Sequence, residues 1–143
     1  MLATIGAAGY LYLSRGSTSG GSTTDFVQVD QRFVADAEAI PVAAQQVHRF
    51  AELHVFDQAA TYATAAMSQE LGHLQAIASG ASGSQKAIAD QAVTSAQQAL
   101  DAAGRYHRAV AFTYRLIDSD NAAHDLSSAI ASLKQQINAW RHS

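Results

Sequence analysis

The apolar residues near the C-terminus, Ala123, Leu126, Ile130, Leu133, Ile137 and Trp140, follow one another at intervals of 3, 4, 3, 4 and 3. That spacing puts all six on one stripe of an α-helix, and a stripe of large apolar side chains must be covered. Two longer segments repeat the rhythm. Between Val42 and Ala78 it passes through Leu53, Phe56, Ala60, Ala63, Met67, Leu71 and Leu74. Between Gln85 and Ile117 it passes through Ile88, Ala92, Ala99, Ala103, Tyr106 and Val110, with Val93, Leu100, His107 and Tyr114 as a parallel row.

A shorter helix is expected from Asp25, a good N-cap, with Phe26, Val29, Phe33, Ala37 and Ile40 on one face. Pro41 has no N–H to donate, so it is expected to kink this helix or to start the next. The tract Ser79-Gly80-Ala81-Ser82-Gly83-Ser84 reads as a hairpin loop, and Asp118-Ser119-Asp120-Asn121 offers N-caps for a last helix to about Arg141. Long helices joined by a short loop pack antiparallel at a shallow angle. The fold expected is therefore all-α: an antiparallel (up-down) four-helix bundle over residues 25–143 with two long central helices. A short apolar N-terminal helix and a flexible linker precede it.

Composition agrees with that class. Alanine, the best helix former, occurs 31 times and proline once. Arg outnumbers Lys 7 to 2, which hints at GC-rich coding and discounts part of the alanine signal. Cysteine is absent, which excludes disulfides, thiol catalysis and Cys-ligated metals. The net charge is −3 with acids and bases interspersed, so no nucleic-acid partner is expected.

Residues 1–14 contain the uncharged run Leu2 to Leu13, and residues 15–24 form a Gly/Ser/Thr linker. Twelve residues are short against the about 17–25 of a full span. No basic residue precedes the run and no Ala-x-Ala site closes it, so it does not read as a signal peptide. Tyr10, Tyr12 and Arg15 resemble the interfacial residues that flank a membrane segment. A membrane anchor is the expectation, as the end of a longer helix or as an interfacial segment, with the domain extracytoplasmic.

Chemistry is sparsely written. Glu70 and His73 have the Glu-x-x-His spacing of di-iron bundles, but the chain holds only three Glu, and most positions of a ferritin-like site would need substitutes. His107 lies in an inward row and, with His54 or His73 opposite, is the residue a haem or single metal would use. Tyr62, Tyr106, His107 and Tyr114 are the residues that would line an interhelical ligand pocket. Arg105, Arg108 and Arg115 share a helix face that could hold an acidic partner, unless they simply pair with Asp101 and Asp118. Ile137 and Trp140 either finish the core or dock a partner. Gly72 and Gly104, isolated in helical runs, suggest close approach by a neighbouring helix.

No catalytic triad, phosphate loop or dinucleotide motif is present. The leading expectation is a non-enzymatic, membrane-tethered bundle without cofactor, acting as a subunit or interaction module of a larger assembly or as a homo-oligomer. The alternative is a small-ligand or haem-binding sensor or carrier bundle; a ferritin-like metal-dependent oxidase ranks third.

Overall fold

The computed structural model describes residues 23–113 and 116–143. Four helices run in sequence: α1 (Thr23–Gln45), α2 (Leu53–Gly80), α3 (Gly83–Arg108) and α4 (Leu116–Arg141). A 3₁₀ turn, Phe50–Glu52, leads into α2, and a π-helical turn, Ala109–Thr113, follows α3 directly. No strand occurs among the described residues. Each helix packs on the next, and α4 returns to α1. These short connections close an up-down bundle, so the all-α expectation holds.

The boundaries differ from expectation where local signals conflict. Pro41 lies inside α1, which continues to Gln45. The first helix therefore ends a turn beyond the proline, and α2 begins at Leu53 rather than Val42. Proline removes one intrahelical hydrogen bond, and burial of Ile40 and Ala43 on either side offsets that loss. The chain leaves α1 through 3₁₀-type bonds from the Gln46 and Val47 N–H groups to the Ala43 and Ala44 carbonyls.

The expected six-residue loop shrinks to Ala81 and Ser82. Gly83 makes this possible by adopting φ 61°, a left-handed conformation that costs glycine little. Lys86 Nζ then donates to the Ala78 carbonyl in the last turn of α2. At the other end α4 begins at Leu116, so the Asp118 cluster sits in the first turns of the helix instead of before it. Negative charge there is stabilised by the helix dipole.

The seams are buried internally. Leu126, Ile130, Leu133 and Trp140 on α4 meet Phe26, Phe33 and Ile40 on α1 and Phe56, Met67 and Leu74 on α2 in one core, and Ile137 is buried as well. The Trp140 ring stacks on Phe26 with centroids 4.2 Å apart. On α3 the fully buried positions are Ala89, Ala92, Ala96, Ala99, Ala102 and Ala103, while Ile88, Val93 and Leu100 lie on the flanks of the seam. Alanine on that face lets α3 and α4 approach closely, and theirs is the most extensive helix pairing.

Close approach does not explain the two internal glycines. A methyl group at Gly72 would meet nothing within 4 Å, and at Gly104 only Arg108 Nη1 at 3.5 Å. The expectation of a neighbouring helix against them is corrected by open space.

Candidate functional site

The up-down path brings the 46–52 connection and the 109–113 turn to the same end of the bundle. Side chains with chemical character gather there. His107, on the last turn of α3, has Nε2 2.6 Å from Asp57 Oδ1 on the first turns of α2. The carboxylate accepts the bond, so Nε2 carries the proton and the imidazole is fixed in orientation. Aromatic rings surround the pair. Phe56 packs edge-on to His107 at 5.8 Å and to Tyr106 at 6.3 Å, and Phe112 lies 5.7 Å from His107 at a tilt. Burial, and then the negative charge of Asp120, raise the Tyr106 pKa.

The π-helical turn is the reason Phe112 sits where it does. A π turn inserts an extra residue per turn and shifts the following side chains round the axis, and such turns recur at functional sites. Phe112 is left 63% exposed while still touching His107. Phe50, at the start of the 3₁₀ turn, is 79% exposed, and Val42 on the last turn of α1 is also exposed. Three of the four exposed large apolar side chains among the described residues therefore lie toward this end.

Only some of the residues singled out from sequence come together. Tyr106 and His107 both pack on Phe56, but Tyr62 is exposed elsewhere on α2, so the expected shared pocket does not form around it. Tyr114 and Arg115 lie outside the described residues. Glu70 is buried and His73 exposed, so the Glu-x-x-His pair diverges. Among the described residues no three His, Cys, Asp or Glu side chains come together so as to hold a metal ion.

Arg105 is paired within the bundle. It bonds Asp101 at 3.0 Å one turn back and Asp125 on α4 at 3.0 Å. Those bonds, Asp101 first, raise its pKa above the ordinary arginine value. The pairing expected with Asp101 is thus realised for Arg105, and Asp125 on α4 joins it. Arg108 is exposed on the neighbouring turn. Ile137 and Trp140, expected either to finish the core or to dock a partner, finish the core.

Two features escaped the sequence. Asp57 and His107 are fifty residues apart, and no local pattern joins them. The buried Asp30 and Asp36 were legible in principle, since Asp30 stands four residues after Phe26 and three before Phe33, on the apolar stripe itself. Elsewhere, a shallow cleft of about 330 Å³ between α3 and α4 is lined by Asp90, Gln91, Thr94, Ser95, Ser132 and Gln136. The residues lining it are polar but present mostly apolar surface to it, and no reactive groups converge there.

No protein-family model, curated protein or solved structure matches the chain. No helix among the described residues is long and apolar enough to cross a membrane, and residues 1–14, where an anchor was expected, lie outside them.

Proposed function

We propose that this chain is a non-enzymatic interaction module, tethered to a membrane through residues 1–14 and engaging a larger assembly through the end that carries Phe50 and Phe112. On this reading the domain lies on the extracytoplasmic side. The observation that carries this reading is the exposure of Phe50, Phe112 and Val42 toward one end of the bundle, Tyr62 being the one other exposed large apolar side chain among the described residues. Exposed aromatic side chains at one end of a bundle favour contact with another surface. Aromatic residues are also over-represented among those that dominate binding energy. The Asp57–His107 bond and the packed Phe56 ring give that surface a rigid backing.

The test is the mass of the full chain in solution by light scattering, with and without mild detergent. The chain is expected to self-associate or to need detergent, and Phe50→Ser with Phe112→Ser is expected to reduce its remaining association in detergent. The double variant should stay folded and lose no more than about 2 kcal/mol, because both rings are mostly exposed and an aromatic contact such as that of Phe112 with His107 contributes about 0.5–1.5 kcal/mol. A monodisperse, detergent-independent monomer containing residues 1–24 would sink the reading.

A further inference from the structure

The ionisable groups of the core are unevenly placed. Asp30 and Asp36 on α1 and Glu70 on α2 are buried, whereas the buried polar residues of α3 and α4 among those described are Ser95 and Ser119. Asp30 is the extreme case: it is 0% exposed, and neither carboxyl oxygen has a hydrogen-bond partner among the described residues. It stands one turn from Phe26, whose ring stacks on Trp140 of α4.

We propose that α1 is an acid-latched helix: Asp30 enters the core only with its carboxyl protonated, so α1 loosens from α2 and α4 as the pH rises through neutrality. A carboxylate without donors is far costlier to bury than a carboxylic acid. Burial accordingly pushes the Asp30 pKa up to about 8. Among the described residues, no charged group on the packed elements bonds it in compensation. On α2, Glu70 is an acid and His73 is exposed; on α4, Lys134 pairs with Glu38 at 3.5 Å and Arg141 is exposed; on α3, Lys86 pairs with Asp90 at 3.7 Å. None of these groups bonds Asp30.

The sign follows from linkage. Released, Asp30 has the ordinary carboxyl pKa of 3.8; docked, it binds its proton up to about 8. The docked state holds more protons throughout that window. Docking is therefore strongest below it, weakens about tenfold per pH unit within it, and levels off above it. The Gly/Ser/Thr tract of residues 15–24 runs into this helix, so the latch sits where the proposed tether meets the bundle.

Amide hydrogen exchange of the full chain at pH 5 and pH 8, corrected for the intrinsic pH dependence, measures the latch. Wild-type protection over residues 23–45 is expected to fall at least about 100-fold, with α3 and α4 holding theirs. Asp30→Asn and Asp30→Leu should each change less than about threefold, whichever of the two folds better serving as the comparison. Emission from Trp140, the only tryptophan, should shift to the red in parallel in the wild type alone. Equal losses in wild type and variants, an unchanged α1, or uniform loss across all four helices would each overturn the proposal.

Discussion

At Gly72 the backbone is helical, the surface is open, and a methyl group would touch nothing within 4 Å. Alanine there removes backbone freedom from the unfolded chain without a clash, so Gly72→Ala should raise unfolding free energy by about 1 kcal/mol in urea titration. Asp57 poses the opposite case. Its carboxylate holds His107 across the α2–α3 interface at 2.6 Å, and Asp57→Ala leaves that imidazole without its acceptor. A loss of about 1–3 kcal/mol is expected, with the His107 ring resonances broadened or shifted in NMR as its orientation is released. Glu70 and His73 show how little a spacing says by itself: three residues on a helix are adjacent, yet one side chain is buried and the other wet. Which way the stripe turns relative to the core decides between them.

For the helices, periodicity was a reliable guide to existence and an unreliable guide to ends. The α4 stripe is buried as its spacing requires, because burial of five large side chains outweighs any local preference. The first boundary was misplaced at Pro41, where a general rule about proline competes with the apolar residues that continue past it. The seam of α3 differs in kind, since its fully buried apolar positions are all alanine. Ala99→Leu would force three extra carbon atoms between α3 and its neighbours and should cost about 1–3 kcal/mol by thermal unfolding. Truncation at the other extreme, Trp140→Ala, empties the space over Phe26 and should cost about 3–5 kcal/mol, which would show that this ring closes the core.

Over the whole molecule, the bundle has two dissimilar ends. One carries the two-residue hairpin at Ala81-Ser82 and the Trp140–Phe26 stack; the other carries the Asp57–His107 pair, the π-helical turn and the exposed Phe50 and Phe112. Helix number, antiparallel order and most core residues could be read from the sequence alone, because burial repeats every turn and a helix writes that repeat into adjacent positions. The candidate contact end could not, since it is assembled from residues fifty apart and from a π turn that no spacing announces. Nor does a sequence reveal that a carboxyl such as Asp30 has found no donor. Hydrogen bonding and desolvation depend on what neighbouring helices bring alongside, and only packing in three dimensions decides that.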